Sequence, residues 1–204
     1  PKKTSPTSEK AKPLFTSKTV TKNTSGHAVD ISVDLKGAKE LHLFVSDADN
    51  GFACDWADWV NPRLVDSSGK ETKLTSMKWN SSSSGYGSVK INKNANGGEM
   101  KVDGKSVEGI GTHADSLISY KLPRNHRFTR FLSKGALDDG GANQRACGNQ
   151  ASVQFQVFAQ KPIFAGASVS GPKGSGGRVG DQGDPAHAVE NLYVHEEVKA
   201  TLFA

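Results

Sequence analysis

Cysteine and methionine occur only twice each in the 204 residues, and tryptophan and tyrosine three times each. No CxxC pair is present and no Cys/His spacing spells a zinc site, which removes redox-motif and zinc-finger readings. No stretch approaches the ~18 uninterrupted apolar residues of a membrane helix. The basic N-terminus PKKTSPTSEKAKP is followed by no apolar run of the signal-peptide kind, and direct membrane insertion is not expected. The chain does not open on Met, so it reads as a mature or excised piece whose targeting signal, if it had one, is gone.

Excess charge is also missing from most of the chain, despite a formal net charge of +5. Six lysines (Lys2, Lys3, Lys10, Lys12, Lys18, Lys22) against Glu9 account for all of it, and the remainder balances at 20 basic against 20 acidic residues. A groove for polyanions needs basic residues gathered on a folded surface, so nucleic acid is not an expected partner. The Lys/Pro/Ser/Thr stretch reads as a solvated linker over 1–23.

The two cysteines, Cys54 and Cys147, each stand in a Gly/Asp/Asn-rich stretch that reads as a loop. They suit either free thiols of a cytosolic protein or one staple of an exported one, and the staple is the favoured reading. A bridge closing a loop of about 90 residues would contribute roughly 4 kcal/mol in the chain-entropy view, which matters for a loop-rich fold outside the cell.

What the chain does have is a period of two. Val29, Ile31, Val33 and Leu35 alternate with polar residues, as do Leu41, Leu43 and Val45, then Ile118, Tyr120 and Leu122, then Val153, Phe155 and Val157. Turn-rich stretches such as SDADNG, NSSSSGYG, NKNANGGE and LDDGGANQRACGN separate them. The pattern predicts an all-β, antiparallel β-sandwich over 24–162, with flexible tails. Residues 163–184 read as a Gly-rich linker, and 185–204 as a short helix, starting at Asp184-Pro185, with the start of a truncated neighbour.

Several motifs fail on inspection. GPKGSGGRVGDQG at 171–183 has Val179 where the third glycine of a dinucleotide fingerprint belongs, and no GK[ST] follows. DADNG at 47–51 has its glycine one position early for an EF-hand and no closing Glu. Ser116, His113 and Asp115 have the residue types of a hydrolase triad, but strand neighbours point to alternating faces and no nucleophile elbow surrounds the serine. Asp55 with Asp138 remains a weak acid and base pair for a glycosidase.

Three blocks stand out: SDADNGFACDWADWVNPRL at 46–64, MKWNSSSSGYG at 77–87, and GIGTHADSLISYKL at 109–122 with GALDDGG at 135–141. Aromatic and short polar residues on sandwich loops are the chemistry of sugar recognition. A ring packs on the apolar face of a pyranose while Asp, Asn and His take its hydroxyls.

These blocks carry a resemblance. GIGTHADSLISYKL resembles GxGxHAxSxIxYxL, FLSKGALDD resembles FxaxxGlDd, SVQFQVF resembles SVxFxVx, and DADNGFACDWADWVNPRL resembles DxgDGxxxDHADWaxaxL, all hallmarks of the NPCBM domain, also counted as carbohydrate-binding module family 51. The resemblance spans about 29–160 and implies a galactose-binding-like jelly roll in a large exported bacterial protein, binding galactose-type glycans without catalysis. The block order differs from the usual family order, implying circular permutation, and Trp56 and Tyr86 replace the family's His and Trp.

From the resemblance and the residue chemistry together, the sugar site is expected at Trp56, Trp79, Tyr86 and His113. The places of Cys54 and Cys147 beside matching blocks imply that they pair. A structural Ca²⁺, common in the family, is expected on Asp47, Asp49, Asp55 or Asp58. Neighbouring domains of the same polypeptide are expected partners, because HEEVKATLFA resembles the lead-in to a β-propeller of membrane-bound dehydrogenases, some of them haem-containing. The competing readings are a protein-docking module of similar fold and a glycosidase fragment.

Overall fold

The computed structural model describes residues 11–163. Short strands β1 (Phe15–Thr16) and β2 (Val20–Thr21) lead into β3 (Ala28–Asp34), β4 (Glu40–Ser46) and β5 (Trp56–Asp66). Then come β6 (Glu71–Lys73), β7 (Ser81–Ser83), β8 (Lys90–Ile91), β9 (Lys101–Val102) and β10 (Lys105–Ser106). The chain continues through β11 (Gly109–His113), β12 (Ser116–Lys121) and β13 (Phe128–Leu137), the one-turn helix α1 (Asp139–Ala142) and β14 (Ser152–Phe158).

Two sheets result, and every strand pair in them is antiparallel. The first runs β1-β14-β4-β12-β7 and the second β3-β13-β5-β11-β8, with β9 and β10 forming a separate hairpin. The alternating residues Ile31, Val33, Leu41, Leu43, Val45, Ile118, Tyr120, Val153, Phe155 and Val157 fill the core. This is the expected all-β sandwich. The half-buried pattern fails for β4, which also buries His42 and Phe44 on its other face. The His42 ring meets Ser119 Oγ at 2.8 Å and Glu40 at 3.0 Å, so the buried imidazole is satisfied on both nitrogens.

Three stretches correct the sequence reading. The linker expected over 1–23 is part of the sandwich from β1 onward: Leu14 N–H donates to Val157 O at 2.8 Å and Val20 is fully buried. Its pairing with β14 lays the two ends of the described chain side by side, an arrangement in which a permuted strand order keeps every pairing. The turn-rich block at 46–64 ends in an eleven-residue strand, β5, that runs through Pro62. Pro62 cannot donate to a ladder, and it falls where the β5–β13 register shifts between Leu132 and Lys134, a bulge that needs no donor there. NSSSSGYG contains the exposed edge strand β7. The expected short helix, Gly-rich linker and following domain lie outside the described residues.

Trp59, on β5, is fully buried between the sheets, its ring 4.9 Å from Phe155 at 84° and 6.0 Å from Phe131 at 60°. Trp59→Ala should cost about 3–5 kcal/mol by chemical denaturation, the range for deleting a buried aromatic. A cost below about 1 kcal/mol would contradict this packing.

Candidate functional site

One end of the sandwich gathers the connections β4–β5, β7–β8, β11–β12 and β13–β14. Cys54 and Cys147 are bonded there across a separation of 93 residues, with Cα atoms 5.8 Å apart. The bridge ties the β4–β5 loop to the β13–β14 loop, as expected. Both cysteines line a cleft of about 600 Å³, together with Phe52, Trp56, Tyr86, Asn96, His113 and Gln144.

The cleft's polar group of fixed character is His113. Its side chain is 4 % exposed, and Nδ1 lies 2.6 Å from the Ala114 carbonyl oxygen. A carbonyl only accepts, so Nδ1 carries the proton and Nε2 is left as an acceptor. Burial holds its pKa below the ordinary histidine value, which keeps the ring neutral at physiological pH. Tyr86 meets this ring edge-on at 5.8 Å and 61°, and Phe52 does so at 6.4 Å and 64°. Both aromatics stay open to solvent, Tyr86 at 54 % and Phe52 at 66 %. Trp56 is half-buried beneath α1. A Cβ on Gly140 would come within 2.6 Å of its ring, so only a glycine lets the helix turn rest on the indole.

Trp56, Tyr86 and His113 therefore share one cleft, while Trp79 stands apart, half-buried against the core. Phe52, Asn96 and Gln144 went unnoticed in the sequence. A second aromatic beside Trp56 inside the DADNGFACDW block was the available signal for Phe52.

The sequence model of the NPCBM/NEW2 domain family matches residues 9–65 and 70–174. The chain belongs to the NPCBM/NEW2 domain family. No curated protein and no solved structure matches it. NPCBM domains are non-catalytic carbohydrate-binding modules with a galactose-binding-like fold.

The carboxylates of this NPCBM sandwich do not equip its cleft for hydrolysis. Asp55 and Asp138 are both fully buried and neither lines the cleft. Asp55 Oδ1 accepts the Ser152 N–H at 2.8 Å, and burial pushes its carboxyl up to about 7. Ser116 Oγ is taken by Thr112 Oγ1 at 2.6 Å, while His113 Nδ1 is turned to Ala114, so the triad reading has no hydrogen-bonded geometry.

The four aspartates expected around calcium divide into two neighbourhoods. Asp47 Oδ1 accepts the Asp49 N–H, the Asp115 carboxylate accepts the Asp47 N–H, and Asp55 feels the charges of Asp47 and Asp115. Asp58 instead lies beside Asp138, just past the end of the neighbouring strand β13 in the same sheet. Among the described residues no group of three or more His, Cys, Asp or Glu is gathered to hold an ion, so these four do not form one ligand set.

Asp58 and Asp138 lie close together in the interior, and neither Asp58 oxygen has a hydrogen-bond partner among the described residues. Desolvation raises both carboxyls above their ordinary value, and the neighbouring Asp138 charge raises Asp58 further. Asp138 accepts the main-chain N–H of Lys101 at 3.0 Å and of Gly140 at 2.8 Å, so it is the better carboxylate, while burial without a partner favours the neutral form of Asp58. In the unfolded chain both ionise near 3.8. The stability they contribute is complete below that pH and is lost as pH rises through their raised folded values. Asp58→Asn keeps a donor toward Asp138 without a proton to release. Its melting temperature should fall less than the parent's between mildly acidic and alkaline pH, and equal slopes in the two melting series would contradict the raised Asp58 carboxyl.

Proposed function

We propose that the cleft binds a neutral glycan of galactose type, with Tyr86 and Phe52 packing on the sugar ring and His113, Asn96 and Gln144 meeting its hydroxyls. The observation that carries this reading is a pair of solvent-open aromatics edge-on to one neutral imidazole, in a cleft lined by no charged side chain. Open rings beside convergent polar groups suit a molecule with one apolar face and a rim of hydroxyls. The family supports the same reading, since NPCBM domains are carbohydrate-binding modules.

The domain acts, in this proposal, as the glycan anchor of a larger exported polypeptide. A cystine is retained in oxidising compartments, which agrees with export. A calcium ion is retained in the proposal only at the 47–55 loop, on the buried Asp55 Oδ2, which has no partner among the described residues, with one further carboxylate at most from Asp47 or Asp49. Hard cations take six to eight oxygens, so main-chain carbonyls would have to complete the shell. With calcium present the melting midpoint should rise by several degrees and fall back on chelation, and an unchanged midpoint with no calcium by elemental analysis would remove the ion.

A glycan array probed with the whole chain should give signal on galactosides. Tyr86→Ala and Phe52→Ala should each lower affinity about tenfold, or roughly 1.4 kcal/mol, with little change in melting temperature because both rings are already exposed. Silence across all glycans would turn the reading toward a protein-docking surface. Variants that merely unfold the protein would return both rings to a structural role.

A further inference from the structure

Tyr86 stands on a loop of serines and glycines, SSSSGYGS, which by composition has little to hold it still. The fold makes that loop cross from one sheet to the other, since β7 pairs with β12 while β8 pairs with β11. The chain returns at the same end, from β11 to β12 through Ala114 and Asp115. Ser84 sits where the two crossings meet.

Its hydroxyl donates to the Tyr86 carbonyl oxygen at 2.8 Å, accepts the His113 N–H at 3.1 Å, and lies 3.2 Å from Thr112 Oγ1. Its donor proton and one lone pair are thereby used, since the Thr112 proton goes to Ser116 Oγ at 2.6 Å. Beside it Gly85 N–H donates to the His113 carbonyl at 3.1 Å, and a Cβ on Gly85 would come within 2.1 Å of the Ala114 carbonyl oxygen. The main chains that carry the Tyr86 ring and the His113 ring are therefore tied to a single oxygen atom.

We infer that Ser84 is the positioning residue of this site, a hydroxyl clasp that sets the Tyr86 ring against the His113 ring before ligand arrives. The inference rests on the proposed glycan-binding role of the cleft for its effect on affinity, but not for its geometry. A wall already in its bound position spares the ligand the cost of ordering a loop, roughly 0.5–1.5 kcal/mol for each immobilised side chain. Alanine at 84 leaves the His113 N–H and the Tyr86 carbonyl without that oxygen, and the single Gly85 N–H bond to the His113 carbonyl no longer fixes the ring pair.

The test is proton NMR on the whole chain with Ser84→Ala and Ser84→Thr, together with titration of methyl β-galactoside. The parent should show a cross-relaxation signal between the Tyr86 and His113 rings, as their 5.8 Å edge-on separation requires. Ser84→Ala should lose that signal and bind the galactoside about tenfold more weakly, while Ser84→Thr, which keeps the hydroxyl, restores both. An undiminished ring signal in Ser84→Ala would overturn the clasp. Loss of the signal at unchanged galactoside affinity would overturn its part in binding. If the parent itself binds no galactoside, the glycan reading falls, and the ring signal alone then decides for or against the clasp.

Discussion

The bond between Cys54 and Cys147 is the constraint on which the cleft depends. The loops it joins, 47–55 and 138–151, contain one helical turn between them and bury few apolar side chains, so their own interactions hold them weakly. Closing a 93-residue loop removes unfolded-state freedom comparable to about 4 kcal/mol, a large share of the ordinary stability of a domain. The bond also lies at the cleft itself, so the covalent staple and the cleft wall are one piece of structure.

Around that staple the interior is unusually acidic for a core. Asp55, Asp58 and Asp138 are fully buried; burial favours the neutral form of Asp58, and Asp138 is met by main-chain amides. Asp139, next in the chain, accepts the N–H groups of Asp103 and Gly104 at 3.0 Å and 2.8 Å, pinning the β9–β10 hairpin to the base of α1. The DD of GALDDGG is thus a fastening of loops to sheet, with no role at the cleft surface.

The sandwich was legible wherever burial alternated, as in β3 and β14. It was less so in β5, which is buried on both faces near Trp56 and interrupted by Pro62, so neither a period of two nor a proline-free run announces it. Ser81–Ser83 pairs with β12 through its main chain alone, and serine side chains leave no pattern to read. At the site, His113, Trp56 and Tyr86 were readable because sugar chemistry and family motifs single out those residue types. Trp79 has the same chemistry but packs inward, a difference set by tertiary packing. Sequence nearness misled for the aspartates: Asp58 stands only three residues after Asp55, yet it lies within β5, whose pairing with β13 turns it toward Asp138.

The central claim is that ligand enters the cleft bounded by the disulfide, Tyr86 and Phe52. Chemical-shift mapping of the isotope-labelled chain during titration with methyl β-galactoside tests it most directly. The account predicts that the perturbed resonances cluster on Phe52, Trp56, Tyr86, Asn96, His113 and Gln144, with the core strands unmoved. Saturable shifts centred on any other face of the sandwich, with these six residues silent, would contradict it.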